Sequence, residues 1–314
     1  MSSPSTDPAA LLALHGRNPF SFFVRYDAPW QWLPLDGGAA PYLEHGRAVV
    51  LWGDPLTSSD GHLGELTRAL RGRRICLLLI GEELARTALA HGYGVLKIGE
   101  QPYFDLRTWN TPRGDPGKRL RWVLNRARRA GVETRAYEPD DAAAVEEAVD
   151  AWQSGLGRAA AGSFLRASPL VLAGEKRLFL ALANGRLEAL VSCAPLPAVD
   201  GWLLEDLIRR PDAPMGATEA VVVHALQELA AAGAARAWLD LAPLRGFETQ
   251  LDRRARLIFR GVGPLVRLFD ARYRFRALTT YLDKFEPTGW TPRYVALKPF
   301  LPTPSLVRAL TTLL

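Results

Sequence analysis

"KRLFLALANGRLEALVSCAPL", residues 176–196, decides how the second half of this chain folds. Two apolar runs meet at Asn184-Gly185, a dipeptide that tolerates the left-handed positions of a two-residue turn, so the stretch predicts a β-hairpin. Working outward, "GWLLEDLI" (201–208) predicts a third strand and "RRPDAPMG" (209–216) a turn punctuated by proline and glycine. "ATEAVVVHALQELAAAG" (217–233) follows as an apolar helix closed by glycine, and "ARAWLDLAPL" (235–244) returns as strand.

Hairpin, strand, turn, helix, strand is the order of an acyltransferase core of the GNAT type, a likeness of fold that says little about chemistry. Upstream, "AVVLWGDPL" (48–56), "RICLLLIG" (74–81) and "VLKIGEQPYFDL" (95–106) predict strands, and "GHLGELTRALRG" (61–72) and "EELARTALAHG" (82–92) predict helices. A basic helix, the strand "VETRAYEP" (132–139) and a helix from about Asp140 to Trp152 complete the first half. The fold class is therefore α/β (α+β), in two halves similar enough for a diverged duplication. Small residues and glycines in "GLGRAAAGSFLRASPLVLAGE" (155–175) mark the boundary. The expected organisation is a poorly ordered lead at 1–17, a domain at 18–160 and a catalytic domain at 161–314.

A chain of 314 residues with 48% hydrophobic and 23% charged residues has the length for two domains and the composition of a soluble globular protein. No apolar run approaches the roughly 20 residues of a spanning helix, and "MSSPSTDPAALLALHG" lacks the basic region of a signal peptide, so a cytoplasmic location is expected. Cys76 and Cys193 both sit in strand-like apolar runs, and the histidines form no ligand-spaced pair. Both cysteines are expected to be packing residues, and neither a metal nor a cofactor is expected.

The formal net charge of +6 is concentrated. In "RGDPGKRLRWVLNRARRAG" (113–131), Arg113, Lys118, Arg119, Arg121, Arg126, Arg128 and Arg129 face a single acid, Asp115. Leu120, Val123, Leu124 and Ala127 form the buried stripe and leave the cations outward, a face that attracts the phosphates of RNA, of lipid headgroups or of a nucleotide cofactor. In "EDLIRRPDAPMGATE" (205–219), Asp206 and Arg209 lie three apart near a strand end. If the strand turns at Ile208 both reach one cavity; if it continues, Asp206 faces it alone. A GNAT enzyme binds the coenzyme A pyrophosphate on backbone amides at such a turn, but Pro211 and Pro214 remove two of those donors. Glu219 falls in the first helical turns, where the dipole favours an acid. Lys284 and Arg293 sit among aromatics in "YLDKFEP" and "WTPRY", and His224 is expected to pack near the core. "LDRRARLIFRGVGPLVRLF" (251–269) and "SLVRALTTLL" (305–314) mix arginines with apolar residues in the manner of surface elements that rest on anionic membranes.

Six separated motifs, in order, resemble the catalytic domain of the aminoacyl-phosphatidylglycerol synthases, also called phosphatidylglycerol lysyltransferases. They are "FFVRYDAPWQWLPLDGGAAPYLEHGRAVVLWGDPL", "VLKIGE", "GKRLRWVLNRARRAG", "EDLIRRPDAPMG", "LDLAPL" and "YRFRALTTYLDKFEPTGWTPRY", covering roughly residues 18 to 298. The resemblance implies two tandem GNAT-like domains with a tunnel between them, aminoacyl-tRNA entering on one side and an anionic phospholipid on the other. It further implies an aminoacyltransferase that moves an amino acid from aminoacyl-tRNA to a lipid hydroxyl, peripheral to the inner face of the cytoplasmic membrane. Full-length relatives usually carry a membrane flippase; this sequence shows none, so product transport is not expected of it. By the same resemblance, Asp206, Arg209 and Lys284 are the catalytic candidates; Glu219, Asp240, Arg293 and the basic-helix cations Lys118, Arg119 and Arg121 are the candidates for substrate contact, with a snorkelling surface role the alternative for Lys284 and Arg293. Asp206 would orient or deprotonate the acceptor hydroxyl or hold the donor's ammonium, while Arg209 and Lys284 would neutralise a lipid phosphate or the oxyanion. Two other classes stay open: an acyl-coenzyme A dependent N-acyltransferase on the same fold, and a non-catalytic protein binding RNA or anionic lipid.

Overall fold

A computed structural model describes residues 7–26, 28–58, 62–115, 117–156, 167–255 and 275–300. In chain order the elements are α1 (Pro8–His15), a 3-10 helix (Pro19–Arg25), β1 (Gln31–Leu35), β2 (Gly38–His45), β3 (Ala48–Trp52), β4 (Leu56–Thr57), α2 (His62–Ala69), β5 (Arg74–Ile80), α3 (Glu82–Ala90) and β6 (Gly94–Asp105). They continue with α4 (Lys118–Arg129), β7 (Val132–Ala136), α5 (Ala142–Leu156), β8 (Arg177–Ala183), β9 (Arg186–Leu196), β10 (Gly201–Arg209), α6 (Ala217–Ala231), β11 (Arg236–Trp238), β12 (Ala242–Pro243), α7 (Phe275–Asp283) and β13 (Gly289–Lys298). The hairpin forms as its sequence dictates: Asn184 and Gly185 adopt φ of 51° and 77°, and β8 pairs antiparallel with β9.

All described strands join one sheet in the order β1-β2-β3-β5-β13-β6-β11-β10-β9-β8-β7, with β4 on β2 and β12 on β6. The order contains the same unit twice. The hairpin β1/β2 leads to β3, then to α2 and to β5 parallel with β3; the hairpin β8/β9 leads to β10, then to α6 and to β11 parallel with β10. Each is a GNAT-like unit. Their last strands are exchanged: β6, which follows the first unit, pairs with β11 of the second, and β13, which follows the second, pairs with β5 of the first. β6 and β13 also pair with each other from Gly94 to Tyr103, which makes the two units one continuous sheet.

Two expectations of organisation change accordingly. The boundary near residue 160 does not separate the layers, because β7 pairs with β8 and α4 packs on α6, so the second unit begins soon after β6. The lead at 1–17 holds a helix, α1, capped by the Asp7 side chain, with Leu11 and Leu12 buried beside Val24, Ala39 and Leu56; two adjacent leucines with an apolar site to fill suffice to order it. The membrane-facing segments expected at 251–269 and 305–314 lie largely or wholly outside the described residues. Cys76 and Cys193 are buried as expected, and burial raises both thiols, Cys76 to about 12.

Candidate functional site

The second unit opens where β10 leaves β11. These strands pair only from Gly201–Leu203 to Arg236–Trp238, after which β10 runs on to Arg209 while the chain beyond Trp238 turns to β6. On its other edge β10 stays paired with β9 but carries a bulge: Leu204 faces Cys193 and Leu207 faces Val191, leaving Glu205 and Asp206 together opposite Ser192. One extra residue resets the alternation of side chains. Leu204 and Leu207 therefore both enter the core beneath α6, whereas Leu203 and Ile208 pack on the opposite face, against Phe20 and Trp52 or against α5.

Glu205 and Asp206 project to that opposite face. The Ser192 hydroxyl lies 3.1 Å from Asp206 Oδ2 and 3.3 Å from Glu205 Oε1, and it accepts the Asp206 amide at 3.3 Å. Glu205 is held tightly: Tyr26 Oη donates to its Oε1 at 2.6 Å, and the Lys176 ammonium, on a fully buried side chain, sits 2.7 Å away. The same ammonium lies 4.7 Å from the centroid of the Tyr26 ring. Oε2 of Glu205 is buried with no hydrogen-bond partner. Burial, reinforced by the charge of Glu205, pushes the Asp206 carboxyl up to about 7, against the pull of Lys176 and Ser192. Asp240, just beyond β11, is raised to about 6 by desolvation and by Glu205. Its side chain is nonetheless exposed, and it accepts the Leu241 amide at 2.6 Å. Three carboxyls thus share one face with a single buried ammonium, an arrangement suited to holding a proton or a cation near neutrality.

On the α6 face a second cluster forms. Lys284 pairs with Glu219, and its ammonium lies 4.4 Å from the centroid of the Tyr281 ring. Thr218 Oγ1 donates to the other Glu219 oxygen at 2.9 Å. The Tyr281 hydroxyl is buried without a hydrogen-bond partner and its pKa is raised, first by burial and then by Glu219, with the Arg209 charge offsetting part of the rise. Arg209 belongs here, with Nη2 donating to Ala213 O at 2.7 Å.

The strand therefore does not turn at Ile208, and Asp206 and Arg209 leave it on opposite faces. Of the residues singled out in the sequence, Asp206 and Asp240 come together on one face and Arg209, Glu219 and Lys284 on the other. Arg293 joins neither group: it is buried on β13, both its hydrogen bonds go to Gln101 Oε1 at 2.9–3.0 Å, and desolvation lowers it to about 10. In α4, Leu120, Val123 and Ala127 are buried and Lys118 and Arg119 exposed, as the spacing predicts. Arg121 differs, since it bonds Pro112 O at 3.0 Å and Gly114 O at 2.6 Å and so fastens the preceding loop. His224 packs edge-on against Phe179, and burial lowers its pKa. Sequence reasoning missed Lys176, Glu205 and Tyr26. The signal for them was a lysine opening an apolar strand, which needs a buried carboxylate, and an adjacent Glu-Asp pair to supply one.

The sequence model described as phosphatidylglycerol lysyltransferase, C-terminal, matches residues 9–297. A phosphatidylglycerol lysyltransferase of Bacillus subtilis (strain 168) is 26% identical over 266 residues; that match covers 80% of this chain, but the chain spans only 30% of that relative's length. Among solved structures, L-PGS from Bacillus licheniformis superposes with a TM-score of 0.75 at 20% identity, covering 99% of this chain and 98% of that one. The C-terminal domain of a protein from Agrobacterium fabrum assigned as a lysylphosphatidylglycerol synthetase also gives 0.75, at 18% identity, covering 98% and 96%. At these identities the structural likeness speaks for the fold.

Proposed function

Because this chain belongs to the phosphatidylglycerol lysyltransferase C-terminal family, we propose that it transfers an amino acid from aminoacyl-tRNA to a hydroxyl of an anionic membrane lipid such as phosphatidylglycerol. The observation that carries the reading is the split between β10 and β11, with a bulge-mounted carboxyl whose pKa is near neutrality on one face and a cationic cluster on the other. Such a split lets two substrates reach one reacting centre from opposite sides of a sheet.

The donor ester is already activated, so the protein has mainly to position two substrates and stabilise a tetrahedral oxyanion. In the proposed step the lipid oxygen attacks the ester carbonyl, the bond to the ribose oxygen breaks, and the hydroxyl proton passes through Asp206 to the departing ribose oxygen. A carboxyl at about 7 can both accept and return that proton. Arg209, on the opposite face from Asp206, is left to meet the lipid phosphate. Lys284, already paired with Glu219, positions that face. Glu219 also speaks against coenzyme A, because a nearly buried carboxylate in the first turn of α6 stands where the cofactor's pyrophosphate would bind. No helix among the described residues is long and apolar enough to cross a membrane, and the reading has the chain meet the inner membrane surface by charge.

The test is to incubate the purified protein with aminoacyl-tRNA carrying labelled amino acids and with vesicles containing phosphatidylglycerol. RNase-sensitive aminoacyl-lipid should form, and Asp206→Asn should lower its rate by roughly 10²-fold or more while the protein stays folded. Absence of labelled lipid with every charged tRNA, or normal transfer by Asp206→Asn, rejects the reading.

A further inference from the structure

α4 carries a feature that its charge does not require. Trp122 is 55% exposed, while Lys118, Arg119, Arg126 and Arg129 on the same helix are exposed as well. The Arg126 guanidinium lies 5.7 Å from the centroid of the Trp122 ring. An indole is among the costliest side chains to leave in water, and more than half of this one stays exposed even with the Arg126 guanidinium over it. The opposite stripe, Leu120, Val123 and Ala127, is already spent on packing.

The position of α4 gives this ring a use. Gly216, at the start of α6, has φ of 92°, and a Cβ placed there would lie 2.6 Å from Val123 O and 3.0 Å from Ala127 Cβ. α4 thus touches the N-terminal end of α6, three residues before Glu219 and its partner Lys284. Trp122 is therefore borne on the exposed side of the helix that packs against the start of α6, the helix that carries Glu219.

We propose that Trp122 is the stacking platform for an unpaired base near the 3′ end of the donor RNA, with Arg126 beside it for the adjoining phosphate. The proposal rests on the tRNA-dependent reading above. Every base offers a π-face, so a lone exposed ring among cations binds single-stranded nucleic acid without regard to sequence. A membrane anchor fits less well. An interfacial helix surrounds its Trp with further apolar side chains, whereas Trp122 has Lys118, Arg119, Asn125, Arg126 and Arg129 around it on the helix surface.

The experiment compares wild type, Trp122→Ala and Trp122→Phe in binding deacylated tRNA, either intact or lacking its unpaired 3′ nucleotides, across a range of salt, and in sedimentation with phosphatidylglycerol vesicles. Trp122→Ala should weaken binding of intact tRNA about tenfold, the order expected for one base–aromatic stack, with an unchanged salt slope because no charge is removed. Trp122→Phe should recover most of the affinity. Wild type and Trp122→Ala should bind the truncated tRNA equally, and vesicle binding should be the same for all three. Equal binding of intact tRNA by wild type and Trp122→Ala overturns the stacking role alone. An equal loss on truncated tRNA, or a loss confined to vesicles, does the same and, in the second case, makes Trp122 a membrane anchor. Failure of wild type to bind tRNA at all overturns both this inference and the donor assignment.

Discussion

Asp206→Asn should make the protein more stable above neutral pH and leave it unchanged in acid. Asp206 has its carboxyl raised from 3.8 to about 7, by burial first and Glu205 second. A carboxyl raised in the folded state binds its proton more tightly there than in the unfolded chain. Its contribution to stability is therefore complete below about pH 4 and is lost progressively as pH climbs to 7. The interval between 3.8 and 7 corresponds to about 4 kcal/mol between the protonation states. Solvent reaches part of Asp206 and screens it, which brings the expected difference at pH 8 to about 2 kcal/mol. Asparagine keeps the shape and the bond to Ser192 but never ionises. Asp240 titrates in the same direction and its charge helps to raise Asp206, so removing the Asp206 charge also eases the ionisation of Asp240 and adds to the gain at pH 8. Thermal melts by circular dichroism should show Asp206→Asn several degrees above wild type at pH 8 and coincident with it at pH 4. Equal melting at pH 8, or a gain of the same size at both pH values, would refute the claim that a strained carboxyl is retained at the bulge for its chemistry.

Lys176→Met should destabilise by about 3–5 kcal/mol because it strands the Glu205 carboxylate without its ammonium, and adding Glu205→Gln should restore most of that loss in urea unfolding. Lys118→Gln with Arg119→Gln should leave the melting temperature unchanged and reduce the salt slope of tRNA binding, by about 1.4–1.8 if both cations meet phosphates. Arg121→Ala should instead lower the melting temperature, since its two carbonyl bonds hold the loop before α4. Gly216→Ala should disrupt the α4–α6 contact, as both its φ of 92° and the 2.6 Å approach to Val123 O exclude a side chain; a variant with native stability would contradict the packing described.

Much of this chain was legible in sequence because the signals are local. Asn184-Gly185 sets the left-handed dihedrals of its own turn, the stripe Leu120, Val123 and Ala127 sets which side of α4 is buried, and Gly131 closes that helix with φ of 73°. The motif order was sufficient to place the chain in its family. The tertiary structure alone decided what depends on distant pairing. Nothing local in Gly289–Lys298 says that this last strand inserts between β5 and β6, because strand partners are chosen by edges that only a folded sheet presents. The bulge is of the same kind. A strand read alone puts Glu205 and Asp206 on opposite faces, and it is the register with β9, one residue short between Cys193 and Val191, that sets both against Ser192 and sends Arg209 to the other side.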